Sequence, residues 1–341
     1  MERFYYAATA TFLLLFLLHH LLMGRKKKLH LPPGPRFAFP VLGHLPLLKK
    51  PLQTSLANLA VRYGPIIHLR LASRDAIVIG SAELAKECFS GDRDVTLANR
   101  VHFPSVREAS FNYTVISSSD YGAHWRNMRR VATVHLLSAH RVNIMSDNVI
   151  AREVRTMVGR LALASDAAAA RVELKRRLFD LSHSVLMEIF AQTRNTYADD
   201  TDADMSKEAL EMKDILDEIV PLISVANLWD YMPLLRWLDL NGVKRKLADA
   251  VSRRDTLIYK MIDGERQKHL ERKNGKADTV VADEKKSLIG ILLELQETEP
   301  DLYTDTCIAA LVAVSSTIHM FDALNLFAYI DCSNFFCYLP V

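Results

Sequence analysis

Cysteine is scarce in this 341-residue chain. The four present, Cys88, Cys307, Cys332 and Cys337, have neither the pattern of a disulfide framework nor the spacing of a zinc site. That fits a body kept in a reducing compartment. Excess charge is scarce too: 43 basic against 40 acidic side chains leave a net +3, too little to hold nucleic acid. The basic residues fall into short clusters, Arg25–Lys28, Arg129-Arg130, Lys175–Arg177, Lys244–Lys246 and Arg253-Arg254. Such clusters make solvated helix faces or meet an acidic partner or lipid headgroups. There is no internal repeat. With half its residues hydrophobic, the chain can build one large domain or two ordinary ones with ample core.

The N-terminus does carry one long apolar run, Phe4 to Met23, followed at once by Arg25-Lys-Lys-Lys28. About 20 apolar residues span the hydrocarbon core of a bilayer. A cleaved signal peptide would place its positive charge before the apolar run and a small-residue site after it. The order here is the reverse, so residues 1–24 read as a signal anchor in the membrane lipid bilayer, and the positive-inside rule leaves the body in the cytosol. In a eukaryotic cell that membrane is the endoplasmic reticulum, crossed once. Residues 25–50 then combine the basic stop with Leu31-Pro-Pro-Gly-Pro-Arg36. Prolines fix φ and disfavour helix in the preceding residue, so this is a stiff hinge.

The body reads as mainly α with a small β subdomain. Helical spacing over Leu52–Tyr63 ends at Gly64, placed as a C-cap. Ile66–Leu71 and Ala76–Ile79 alternate like two strands, with Ser73-Arg74-Asp75 in the turn. Ser81 caps a short helix through Phe89, with Glu83 in its first turn. Ser90 to Ser119 has no sustained period and reads as a long functional loop holding Arg100, Phe103, Phe111 and Tyr113. Further helices are expected over Ile144–Leu163, Leu174–Phe190, Lys207–Val220, Gly242–Arg272 and Ser287–Glu297. Gln192–Met205 and Lys273–Lys286 read as exposed loops. Pro221 to Pro233 is an apolar connection that rims a pocket or touches the membrane.

The candidate site lies in Tyr121-Gly-Ala-His-Trp125-Arg-Asn-Met-Arg129-Arg130, the opening of a helix expected to run to about Leu137. Trp125 and Arg129 stand four positions apart and so share a helix face. A donor-only indole and a five-donor guanidinium placed together can clamp a carboxylate or phosphate. The plainer alternative is a core tryptophan with an arginine packed over its ring.

In order along the chain, these features resemble a microsomal plant cytochrome P450, a haem-thiolate monooxygenase. The residues that carry the resemblance are the anchor, the Pro-Pro-Gly-Pro hinge, the helix–hairpin–helix of Leu52–Phe89 and Asn99-Arg100. To these are added the Trp-Arg block, Trp237-Leu-Asp-Leu before the long helix, and Glu297-Thr-Glu-Pro-Asp-Leu-Tyr-Thr-Asp305. The likeness is to the group that includes flavonoid, isoflavonoid and lignan oxidases, and it covers residues 1 to about 314. It implies the N-terminal two-thirds of the cytochrome P450 fold over residues 51–314, with haem b as cofactor. It also implies electrons from NADPH through a flavoprotein cytochrome P450 reductase, and a small lipophilic substrate. Trp125 and Arg129 would hydrogen-bond a haem propionate, and Arg100 would either support the propionates or begin the substrate loop. Val101–Ser118 and Leu222–Met232 would contact substrate, and Arg126 and Arg130 would face the reductase.

The pattern then stops. The family's axial thiolate comes from a loop of the form Phe-x-x-Gly-x-Arg-x-Cys-x-Gly, and none of the four cysteines lies in one. Glu173-Leu-Lys-Arg176 has the letters of the family's Glu-x-x-Arg pair, but ahead of the central helix instead of after it. In that helix Ala309-Ala-Leu-Val-Ala-Val314 leads to Ser-Ser-Thr, without the family's glycine and acid. Residues 315–341 resemble nothing in the family and read as a divergent tail. Hence no catalytic residue and no metal ligand is assigned. The expectation is a chain of monooxygenase family without its own activity, or a non-catalytic anchored fragment that binds protein or apolar compounds. A third reading is a tethered helical binding module unrelated to haem.

Overall fold

The computed structural model describes residues 5–6, 9–14, 30–49, 51–166, 173–194, 205–223, 228–232, 239, 242–274, 286–314 and 337–340. Most of the expected anchor therefore lies outside the described residues; residues 5–6 and 9–14 are helical. Among the described residues no helix is long and apolar enough to cross a membrane. The chain divides into two compact units, one within residues 1–93 and 334–341, the other within 94–333.

In the first unit, α1 (Leu52–Tyr63) starts behind Pro51 and stops at Gly64, whose φ of 110° suits only glycine. β1 (Ile66–Leu71) and β2 (Arg74–Ile79) form an antiparallel hairpin in which Leu71 pairs with Arg74 and Ile66 with Ile79. The turn is therefore the two residues Ala72-Ser73, not Ser73–Asp75 as expected. Ala72 takes φ 53°, the left-handed conformation that matches two-residue hairpin loops to strand twist. Arg74 and Asp75 are drawn into the ladder, and Asp75 meets His68 Nε2 at 3.1 Å. Ile67, Leu69 and Leu71 on β1, with Ala76 and Val78 on β2, form the buried face.

The proline hinge is stitched onto this hairpin. His68 N donates to Pro33 O at 2.9 Å, and His44 N donates to Arg70 O at 2.6 Å. Gly43 sits so close that a Cβ there would lie 2.2 Å from Arg70 O. On the other edge, β3 (Cys337–Pro340) pairs antiparallel with β2, Ile79 against Cys337. α2 (Ala82–Cys88) follows, its first turn closed by Ser81 Oγ accepting from Leu84 N at 3.3 Å.

The second unit is helical. Ser90–Ser119 is not one loop: it contains α3 (Asp92–Leu97) and α4 (Pro104–Ala109). α4 has proline at its start, and its Ser105 N–H is accepted by Asp230 Oδ1 at 2.9 Å from far along the chain. No local pattern could reveal that cap. Phe111, Asn112 and Tyr113 then run left-handed in succession, braced by Tyr113 OH donating to Phe103 O at 3.0 Å and Arg107 Nε to Asn112 Oδ1 at 3.0 Å.

α5 (Ala123–Val131) widens into a π-helical turn, Ala132–Leu136. The helix expected from Ile144 begins earlier, as α6 (Ala139–Ile144), and passes through a second π segment, Met145–Ile150, into α7 (Ala151–Asp166). α8 (Leu174–Ala191), α9 (Lys207–Leu222), α11 (Val243–Lys273) and α12 (Leu288–Thr298) stand within a few residues of expectation. Ser206 and Ser287 cap α9 and α12. Asp180 on α8 accepts from both the Ser206 N–H, at 3.1 Å, and its hydroxyl, at 2.8 Å. Between α9 and α11, α10 (Leu228–Tyr231) buries Trp229 and Tyr231. A last helix, α13, covers 305–314. Ile258, Ile262, Ile289 and Leu292 pack with the buried run Ile308–Val314 as the main core.

The loops expected at Gln192–Met205 and Lys273–Lys286 fall largely outside the described residues. So do Trp237, the stretch 315–336 and Cys332.

Candidate functional site

The Trp125 helix is joined to the loop before it by two reciprocal bonds. Asn99 Oδ1 accepts from Tyr121 N at 3.2 Å, and Asp120 Oδ1 accepts from Arg100 N at 3.3 Å. Asp120 Oδ2 also pairs with His102 Nε2 at 3.1 Å. These bonds hold Asn99-Arg100 at the N-terminal end of α5.

On α5 the expected pair is together. The Arg129 guanidinium lies 5.1 Å from the centre of the half-buried Trp125 ring, at cation–π distance. The Tyr121 ring is 5.4 Å from Trp125, tilted by 50°, and Arg126 lies 5.5 Å over Tyr121. The arrangement is that of an arginine packed over a tryptophan ring, with the indole N–H and the guanidinium on one helix face. Among the described residues no acceptor engages the Trp125 indole N–H or the exposed Arg129 guanidinium. Arg129 and Arg130 occupy the last turn, where the helix dipole favours cations. Further on, burial pushes the His135 imidazole below its ordinary range, and the charges of Arg141 and Arg130 push it the same way.

Arg100 is not part of that stack. Its backbone is tied to Asp120, and the residue lines a cavity of about 420 Å³. The walls are Val101, Phe103, Val106 and Val115 from the loop and α4, Ile219 and Ile223 from the end of α9, and Ala313-Val314 from α13. The expected substrate segment Val101–Ser118 therefore lines a cavity. Of Leu222–Met232, Ile223 lines it, whereas Trp229–Tyr231 lies behind α4: the Tyr231 ring is 5.4 Å from Phe103.

Two polar features were not foreseen. Arg254 lines the cavity from α11 at 3% exposure, although Arg253-Arg254 read as a solvated cluster. Its neighbours Leu247, Val251, Ile258 and Ile262 are all buried, and that helical stripe was the signal available in the sequence. Ser119 Oγ is buried with no hydrogen-bond partner among the described residues, beside the cavity-lining Ser118.

An apolar cavity and an indole–guanidinium pair without an acceptor among the described residues are thus linked through Arg100, Asp120 and Tyr121. Residues 32–315 match the family model "Cytochrome P450". Isoflavone 2'-hydroxylase of Glycyrrhiza echinata is 34% identical over 300 residues, 88% of this chain and 57% of the relative. Isoflavone 3'-hydroxylase of Medicago truncatula is 30% identical over 312 residues, 91% of this chain and 59% of the relative. (+)-Piperitol/(+)-sesamin synthase of Sesamum radiatum is 31% identical over 316 residues, 91% and 58%. The chain belongs to the cytochrome P450 family. It spans somewhat under three-fifths of the length of these relatives.

The family's haem fits part of this chain. Among the described residues the Trp125 and Arg129 donors meet no acceptor, which suits its propionates, and the Ser119 hydroxyl is a further buried polar group without a partner. The axial side is not supplied in the family's manner. Cys88 and Cys307 are free thiols outside any such loop. Among the described residues no cluster of three or more metal-ligating side chains occurs.

Proposed function

We propose that this chain is the substrate-side part of a haem-dependent monooxygenase of plant secondary metabolism. The enzyme type inserts one oxygen atom from O2 into a small lipophilic compound, and the names of its relatives suggest isoflavone-like or lignan-like aromatics. The observation that carries this reading is the 420 Å³ cavity tied through Arg100 and Asp120 to the Trp125–Arg129 pair. Trp125 and Arg129 would hold the haem propionates, with Arg100 at the border between them and the ligand. When bound, the haem supplies the oxygen-activating chemistry, with electrons from NADPH through a flavoprotein reductase that docks on Arg126 and Arg130. Val101–Val115 and Ile219–Ile223 enclose the apolar ligand and exclude water from it. The Phe4–Met23 run and its basic flank support a single-pass anchor in the endoplasmic reticulum with the body cytosolic.

These 341 residues contain no family-type cysteine loop, so the chain alone does not complete the reaction. A second reading follows from the cavity's make-up: among the described residues its lining is mostly apolar and holds no thiol, which supports a chain that binds apolar compounds, or protein partners, without catalysis.

A reduced, carbon-monoxide difference spectrum separates the two. We expect no thiolate-type band from the 341 residues, and a band once the chain is extended through the family loop. A thiolate band from the 341 residues alone would overturn the first statement and make Cys332 or Cys337 the ligand. Silence from the extended chain would favour the binding reading.

A further inference from the structure

The cavity's lining is apolar except for a few groups, and one of these is a buried cation. Arg254 projects from the middle of α11 at 3% exposure, and its guanidinium has five N–H donors. Asp255 Oδ1 takes two of them, from Nε at 2.9 Å and from Nη2 at 2.7 Å. Ala109 O, at the last turn of α4, takes one from Nη1 at 2.7 Å. One face of the group lies 5.0 Å from the Phe111 ring. Among the described residues two donors are left, one on each terminal nitrogen, at the wall of a space large enough for a ligand.

A buried donor without an acceptor is costly, so the natural occupant brings an acceptor to it. The charge balance decides which kind. Asp255 already neutralises Arg254, so a carboxylate set against Arg254 would bury a second negative charge beside Asp255, and Arg100, the other cation of the lining, is exposed to solvent. An uncharged oxygen acceptor gains a charge-assisted bond with no such penalty. A carbonyl oxygen, which has two lone pairs and no proton to place, answers both donors.

We infer that Arg254 is a specificity-determining residue that selects uncharged aromatic ketones over both their hydrocarbon and their carboxylate analogues. This rests on the reading of the cavity as the ligand site. The plainer role, in which Arg254 only ties α11 to α4 through Ala109, predicts no discrimination between ligands of equal shape.

The test is equilibrium dialysis of the full 341-residue chain in detergent, corrected for partition into micelles. Benzophenone and diphenylmethane match in shape and differ in the carbonyl, and 4-benzoylbenzoate adds a charge. Wild type should bind the ketone about tenfold tighter than the hydrocarbon, the worth of one hydrogen bond to a charged donor, and should reject the carboxylate. Arg254→Met should bind the two neutral probes equally. Asp255→Asn, which unmasks the cation while keeping an acceptor for it, should gain affinity for 4-benzoylbenzoate about tenfold. That arm stands even if Arg254→Met fails to fold. Equal binding of ketone and hydrocarbon by wild type, or a ketone preference that survives Arg254→Met, overturns the inference while leaving the cavity as a ligand site. So does an Asp255→Asn variant that still rejects the carboxylate. If wild type binds neither neutral probe, the cavity reading itself fails, and this inference with it.

Discussion

Asp230 grips Ser105 with both carboxylate oxygens, although 125 residues of chain separate them. Oδ1 accepts from the Ser105 N–H and Oδ2 from its hydroxyl, and both residues are buried. α4 has only six residues, too short to hold itself together in water. Its existence, and with it one wall of the cavity, depends on this cap. Asp230→Ala should destabilise the second unit by about 2–3 kcal/mol, the cost of stranding a buried N–H and hydroxyl. Urea unfolding would give the total. Faster amide exchange over 104–109 would locate it, and unchanged exchange there would show that α4 forms without Asp230.

The Trp125–Arg129 pair should behave in the opposite way. Arg129 is exposed and makes no side-chain hydrogen bond among the described residues. Arg129→Gln should therefore change stability by no more than about 0.5 kcal/mol. If the pair holds propionates, the same substitution should weaken haem binding by roughly tenfold. Titration followed by haem absorbance, beside a urea curve, checks both halves. A large loss of stability with unchanged haem affinity would mean that the stack is only structural.

Acid should loosen the first unit through His44. Burial, then the charge of His68, holds this imidazole below its ordinary 6.5, and its Nδ1 accepts the Arg70 N–H at 2.9 Å. The unfolded chain takes up a proton near 6.5 that the folded chain resists. The His44 contribution is thus fully present above that pH and is lost as pH falls toward the lower folded value. His135 acts in the same sense in the second unit. Urea midpoints between about pH 7.5 and 5 should fall with acidity. His44→Gln should flatten part of that slope, and an unchanged slope would dismiss this origin.

Much of this architecture was legible because it is local. The long helices announce themselves by period, and Ser81, Ser206 and Ser287 cap as their positions imply. The Trp125–Arg129 pairing needs only 3.6-residue geometry. What escaped is what distant chain supplies. α4 is made by Asp230, and Arg254 is driven inward by the acceptor of α4 and the ring of Phe111. Glu265, at 1% exposure, is tolerated because Lys268 and Ser287 supply its donors. Arg254 and Glu265 are charged residues in a helical pattern that reads as solvent-facing, and only their partners reverse that. The hairpin turn begins one residue ahead of expectation, at Ala72, and closes two earlier, because alanine is an unusual occupant of a left-handed position.

Glycine substitution should separate the two kinds of site. At Gly43, with φ 63°, an added Cβ would meet backbone oxygen at 2.2 Å, so Gly43→Ala should cost at least about 1–3 kcal/mol. Gly159, inside α7, has nothing within 4 Å of its would-be Cβ. Gly159→Ala should stabilise by about 0.5–1 kcal/mol through helix propensity. Thermal unfolding of the two variants gives the comparison, and equal effects would contradict the close packing of the hinge on β1.

The grip of Asp180 on Ser206 has a practical corollary. α8 and α9 are fastened to each other at the start of α9, so the length of the intervening chain is not what brings them together. Doubling such a connection costs only about 0.6 kcal/mol in closure entropy. An insertion between residues 194 and 205, such as an epitope or a foreign domain, should therefore leave α8 and α9 fastened to each other.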